Sequence, residues 1–431
     1  MPTRATTYEV GPGKPYTSIG AVPWENLQAG DTVLINWRPT SYNEKWVICR
    51  QGTNGAPITV RGVPNESGQL PVIDGNGATT RSALNYWNES RGVIKIGGAS
   101  RPRDTTPTYI TIENLEVRSV RPPFTFTGYI GTTQAYLPTA AAIYIEKGEN
   151  ITLRNCILRD SAHGLFISST DTQATKNVLI EKCYFYDNGM ENDIYRHNVY
   201  TEAAGITYQF NRFGRLRTGC PGNNLKDRSA GLVVRYNWIE GGNRELDLVD
   251  AVDSYLVRGD PRYPQTFVYG NVLIEPTGDG NKQMVHYGGD SGQTSFYRKG
   301  ALYFYNNTVI SRRTDGTTLF RFSTTSESGD MRNNIIYAPS AAANTLVLLE
   351  SSLGVLYSQR NWITSLKNDG TSSGGTFPGF IDETNEDFRL APNSLCINAG
   401  TNLSADEALA NELSFQYGKH QAQEPRVIEG C

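Results

Sequence analysis

One place in a short strand-like phrase is filled nine times along the chain, by Leu115, Cys156, Cys183, Asn211, Asn237, Asn271, Asn307, Asn334 and Asn361. The last six phrases read Asn-x-apolar, as in Asn237-Trp-Ile and Asn334-Ile-Ile. Successive gaps are 41, 27, 28, 26, 34, 36, 27 and 27 residues. A period near 27 without helical patterning means one coil of chain per repeat, and a coil can bury its apolar face only against the next coil. The predicted fold class is therefore all-β, a right-handed parallel β-helix whose longer gaps are coils carrying loop insertions. Insertions on one side of such a solenoid build a groove suited to an extended polymer.

The 43 Gly and 24 Tyr among 431 residues suit short strands joined by tight turns. A helical apolar pattern is best developed at 404–413. The formal net charge is −3, from 40 Lys and Arg against 43 Asp and Glu. No nucleic-acid polyanion is implied, and an acidic polymer must be held by a local cluster. No apolar run is long enough to span a membrane, and Met1 leads into Pro-Thr-Arg-Ala-Thr-Thr without an export signal. The six cysteines, Cys49, Cys156, Cys183, Cys220, Cys396 and Cys431, lack metal-type spacing. Cys156 and Cys183 share a rung position and are read as stacked interior thiols. Cys396 could pair with Cys431 in an oxidising compartment.

A second strand follows each rung, and alternation assigns its faces. With Leu165, Val199, Leu225, Leu246, Val285 and Phe320 inward, the outward column is Phe166, Tyr200, Lys226, Asp247, His286 and Arg321. Glu202, Arg228 and Glu245 flank it. Adjacent coils lie about 4.8 Å apart, so Tyr200, Lys226 and Asp247 are predicted to span roughly 10 Å. A solvated strand face favours Thr, Ser, Lys and Glu. One mixing aromatic, imidazole and both charges is read as a groove lining. The insertion Arg212 to Arg217 sets Arg212, Arg215 and Arg217 beside it, as a clamp on an acidic polymer or as a solvated loop. His163, at a strand start that points inward, is assigned a structural hydrogen-bonding role. Tyr287, Tyr297 and Trp238 are candidates to stack on sugars.

The opening series Ala29-Gly-Asp-Thr-Val-Leu-Ile35, Tyr42, Gly52-Thr53, Pro57-Ile-Thr-Val-Arg-Gly62 and Ile73-Asp-Gly75 resembles the first coils of secreted polysaccharide lyases of the alginate lyase and chondroitinase B type. These lie within the pectate-lyase-like β-helix superfamily. The resemblance becomes residue-specific between Asn224 and Leu248. In that family a strand-borne Lys, matched by Lys226, is the general base, and an Arg two coil-strands on is its acid partner. Val233 to Ile239 matches the intervening coil, and Val249 stands at the Arg position. The resemblance implies β-elimination on a uronate-containing polysaccharide, in an extracellular or periplasmic setting. Such a reaction needs carboxylate neutralisation, a base for the C5 proton and an acid for the leaving oxygen. Lys226 is assigned as base, Arg228 as carboxylate partner and Tyr200 as acid, with His197 or His286 as replacements for Tyr200. His286, Arg321, Asp247, Glu245, Glu202, Arg217 and Arg215 are expected to bind substrate. Calcium is a possible cofactor, although Asn223 and Asn224 stand where the family's acidic ligands precede the Lys.

A glycoside hydrolase on the same scaffold is the alternative, with paired carboxylates drawn from Glu202, Glu245, Asp247, Asp250 and Asp253. A non-catalytic carbohydrate-binding β-helix is the third reading. The solenoid is placed at 1–365, with the groove at about 160–325. A cap and irregular tail packed on it follow at 366–431, where Phe388 to Gly400 resembles the closing segment of β-helix proteins.

Overall fold

The computed structural model describes residues 5–339, 346–350, 353–364, 371–404 and 413–426. Most of the expected helix at 404–413, and Cys431, lie outside them. The chain divides into two compact units. The first comprises Met1–Ile206, Arg215–Gly222 and Asp253–Val257, and the second Thr207–Gly214, Asn223–Val252 and Arg258–Cys431. Each is a parallel β-helix in which successive coils add one strand to each of three sheets.

In the first unit, one sheet joins Thr7–Val10, Thr32–Asn36, Ile58–Val63, Thr108–Glu113, Glu149–Arg154 and Lys176–Glu181. The next joins Val72–Asp74, Glu116–Arg118, Ile157–Arg159 and Tyr184–Tyr186. The third joins Glu44–Ile48, Gly92–Ile96, Ala141–Ile145, His163–Ile167 and Val199–Thr201. The insertion after Arg118 folds as an antiparallel pair, Thr125–Thr127 with Thr133–Ala135. Cys156 and Cys183 are buried free thiols, as their shared rung predicts.

The second unit repeats the plan. Its first sheet holds Ala230–Arg235, Gln265–Tyr269, Gly300–Tyr305, Glu327–Arg332 and Val355–Gln359. The second holds Arg212–Phe213, Trp238–Glu240, Val272–Glu275, Thr308–Ser311, Ile335–Tyr337, Trp362–Thr364 and Ser373–Gly375. The third holds Leu225–Asp227, Leu246–Leu248, Gln283–Tyr287, Thr317–Phe322 and Leu346–Leu349. Leu225, Leu246, Val285 and Phe320 are fully buried beneath this last sheet, each worth about 1.5–3 kcal/mol of apolar burial.

The asparagine rungs form one hydrogen-bonded column in this unit. Asn237 donates from its backbone N (2.9 Å) and Nδ2 (3.0 Å) to Asn271 Oδ1. Asn271 does the same to Asn307, Asn307 to Asn334, and Asn334 to Asn361. Each Nδ2 also reaches a carbonyl of the interior, as Asn271 reaches Val234 O at 2.9 Å. A carboxamide suits the place because it donates and accepts at once.

Two hairpins, Phe380–Asp382 with Asp387–Leu390 and Phe415–Gly418 with Ala422–Pro425, belong to the same unit. Phe388, Leu390 and Tyr417 pack along the side of the coils against a cluster running from Trp238 to Trp362. Phe415 stands edge-on to Phe210 and Tyr236. Trp238 is thus covered core rather than a sugar platform. No helix among the described residues is long and apolar enough to cross a membrane.

Candidate active site

Lys226, Asp247, His286 and Arg321 align in register on the outer face of the third sheet of the second unit. Lys226 Nζ donates to Asp247 Oδ2 at 2.5 Å and to Asp290 Oδ2 at 2.6 Å. Arg228 Nη2 donates to the other Asp290 oxygen at 2.7 Å, while its Nη1 donates to Asp250 O at 2.5 Å. One carboxylate therefore sits in a fork made by an ammonium and a guanidinium. The cations are buried, with side chains 7% and 8% exposed, whereas the Asp290 side chain is 34% exposed. Burial pushes the Asp290 carboxyl up, but Lys226 and Arg228 outweigh it and hold it below the usual range.

The loop after Gln283–Tyr287 brings Asp290 to the fork. Gly288 has φ +132°, and a side chain there would strike Ser323. A Cβ on Gly289 would run into the Tyr297 ring. The Asp290 backbone N then donates to Asp250 Oδ1 at 2.8 Å.

Asp247 is the hub of the cluster. Besides Lys226 it accepts from Asn223 Nδ2 at 2.7 Å, faces His286 Nδ1 at 2.8 Å, and lies 3.6 Å from Arg244. Burial alone raises its pKa, but Lys226, His286 and Arg244 together hold it well below the carboxylate range. His286 Nε2 lies 2.9 Å from Ser323 Oγ. Ser323 Oγ also accepts from Gly289 N at 2.9 Å and lies 2.9 Å from Gly289 O.

The structure thus gathers Lys226, Arg228, Asp247 and His286, with exposed Arg321 on the next rung. Lys226, expected as the base, is ion-paired on both sides. Its Nζ is committed as a donor to two carboxylates, an arrangement suited to charge neutralisation. Glu245, expected in the groove, is fully buried beside Glu275. It precedes its strand, at the bend where alternation no longer sets the face. Glu202, just past the end of Val199–Thr201, is buried for the same reason, so neither lines a groove.

Tyr200, His197, Arg215 and Arg217 belong to the first unit. There Tyr200 stacks on Phe166 at 4.8 Å, in a column with Tyr144 over which Arg91 lies. His197 is buried, and its backbone N donates to His163 Nδ1, which gives His163 the structural role expected of it. Arg217 pairs with Asp160 at 3.2 Å, and Arg215 is exposed.

Calcium needs several converging oxygens. Among the described residues no three His, Cys, Asp or Glu side chains gather as a metal group. Lys226 and Arg228 instead lie between Asp247, Asp250 and Asp290. The donor set does not fit a divalent cation.

Sequence reasoning missed Asp290 and Ser323. Ser323 was within reach of the alternation that found Arg321, two residues earlier. Asp290 carries only a weak signal, the Gly-Gly-Asp-Ser-Gly run after a groove strand.

A family model described as "Right handed beta helix region" matches residues 104–254. No curated protein matches the sequence. Among solved structures, a rhamnogalacturonan lyase is 13% identical, with 94% of this chain and 98% of that one covered at a TM-score of 0.52. A lacto-N-biosidase from Eubacterium ramulus is also 13% identical, covering 86% and 68% at 0.50. An alginate lyase from Paenibacillus sp. str. FPU-7 is 12% identical, covering 83% and 99% at 0.49. At these identities the likeness is one of architecture. By fold, the chain is a right-handed parallel β-helix.

Proposed function

We propose that this protein is a carbohydrate-active enzyme that cleaves a uronate-containing polysaccharide by β-elimination. The observation that carries this reading is the fork of Lys226 and Arg228 closed on one solvent-facing carboxylate. A uronate carboxylate has the chemistry of the Asp290 side chain and would take its place. Two buried cations on that group neutralise it, which acidifies the adjacent C5 proton. This supplies from side chains what a divalent cation would otherwise provide. His286, oriented by Asp247 through Nδ1, presents Nε2 as the proton acceptor. The C5–H bond breaks, a C4–C5 double bond forms, the C4–O bond breaks, and the imidazolium returns the proton to the leaving oxygen. A single residue then serves as base and acid.

One of the structures that share the fold is named a lyase and another a biosidase, so the fold leaves the choice to the site. Hydrolysis by paired carboxylates is the weaker reading. Asp247 and Asp290 share Lys226 Nζ, so their oxygens lie within about 5 Å, close to a retaining separation. Both, however, are held ionised, and hydrolysis needs one of them as an acid. Because such polymers are met outside the cytoplasm, we place the protein in the periplasm or the medium, which fractionation of the source cells checks.

The test follows ultraviolet absorbance of the unsaturated product with a panel of non-acylated uronate polymers. Arg228→Ala is expected to lower the rate by about 100- to 1000-fold, and chelator to leave it unchanged. Lys226→Arg, which keeps the cation and removes the amine, is expected to retain more activity than Lys226→Ala. Equal loss in both would return Lys226 to the role of base. New reducing ends without absorbance would replace the lyase reading by hydrolysis.

A further inference from the structure

Ser323, His286 and Asp247 make a second constellation that elimination does not require. Asp247 Oδ1 faces His286 Nδ1 at 2.8 Å, and His286 Nε2 faces Ser323 Oγ at 2.9 Å. An ionised carboxylate can only accept, so Nδ1 carries a hydrogen, and in the neutral imidazole Nε2 presents its lone pair to the Ser323 hydroxyl, whose hydrogen the Gly289 carbonyl at 2.9 Å also accepts. This is a nucleophile, a base within hydrogen-bond reach, and a third group that fixes the base. Asp247 and His286 are almost fully buried, while Ser323 is partly exposed. The Oγ position is further fixed by the Gly289 N–H at 2.9 Å. Arg321 stands in register with His286 and two residues before Ser323 on the same face, where a cation can receive the charge of an oxyanion.

We infer that Ser323 is a catalytic nucleophile and that the site also hydrolyses O-acyl esters carried by an acidic polysaccharide. Ser323 Oγ attacks the acyl carbonyl carbon, and its proton passes to His286 Nε2. The ester C–O bond breaks, and the sugar hydroxyl leaves with that proton. Water then attacks the acyl-serine, giving a proton to His286. The Oγ–C bond breaks, the free acid departs, and Ser323 regains its hydrogen. The fork of Lys226 and Arg228 takes a free carboxylate, so the ester is one on a sugar hydroxyl rather than on the uronate itself. The acidity of the polymer rests on the function proposed above. The ester chemistry does not.

Two measurements on the full chain test the inference. A fluorophosphonate probe is expected to label the peptide bearing Ser323, as read by mass spectrometry. Acetate release from an O-acetylated uronate polymer is expected to fall at least ~1000-fold in Ser323→Ala, with His286→Gln equally impaired. Elimination on the non-acylated polymer should be lost in His286→Gln. The probe reading on the unaltered protein stands even if a variant misfolds. An unlabelled Ser323, or acetate release that survives Ser323→Ala, overturns the inference whatever the absorbance assay shows. Acetate release and labelling without ultraviolet product would sustain it and remove the lyase reading alone.

Discussion

Asp290 competes with the substrate that this site is proposed to take. Its carboxylate fills the fork of Lys226 and Arg228 from a loop that faces solvent. Asp290→Asn keeps the shape and removes the charge. It is expected to lower KM for a uronate polymer about 3- to 10-fold. Without substrate, stability should fall by about 1 kcal/mol, because two buried cations lose a partly exposed counter-charge. An unchanged KM would take Asp290 out of the carboxylate position. Lys226, Asp247, His286 and Arg321 were legible because strand alternation is local and a mixed column of side chains stands out. Asp290 was not. What fills the space between two cations is decided by a turn some 60 residues away in sequence, and periodicity carries no information about it.

Two elements of the second unit carry their own consequences. Each inner rung of the asparagine column satisfies a backbone N–H and a side-chain amide of the rung before it. Asn271→Ala would orphan the Asn237 backbone N–H and take one partner each from Asn237 Nδ2 and the Val234 carbonyl in the interior. It is expected to cost about 3 kcal/mol, and thermal unfolding measures it. A cost below 1 kcal/mol would mean the column is ornamental. The second case is the buried pair Glu245 and Glu275 on adjoining elements. Burial, then the neighbouring carboxyl, pushes Glu245 well above its ordinary pKa. Burial raises Glu275 to about 7 despite Arg313. The folded chain therefore keeps protons that the unfolded chain releases near pH 4.5. This stability is present at acid pH and is lost as pH rises towards 7. Glu245→Gln should flatten the dependence by roughly 1–3 kcal/mol between pH 5 and 8, read from denaturant unfolding at each pH. An unaltered slope would sink the assignment. Sequence placed Glu245 in the groove because alternation was carried past the start of its strand, where the chain bends.

For the molecule as a whole, the solenoid was readable from one repeated residue, since a 27-residue period admits little else. The side-on packing of Phe388, Leu390 and Tyr417 was less readable, because it depends on aromatic surfaces gathered from several coils. The asparagine column has one more consequence, for chain length. Every asparagine rung before Asn361 hands the same two donors to the same acceptor, so one turn can stand in for another. Asn334 and Asn361 are 27 residues apart. Excising 334–360 as a block would deliver the donors of Asn307 directly to Asn361. Removing one residue inside a strand of the same turn, such as Ile336, would instead reverse the faces of that strand. The block deletion should still melt in a single cooperative transition by circular dichroism, and the one-residue deletion should not. A chain built this way can change the length of its column by one complete turn, while its loops change length separately.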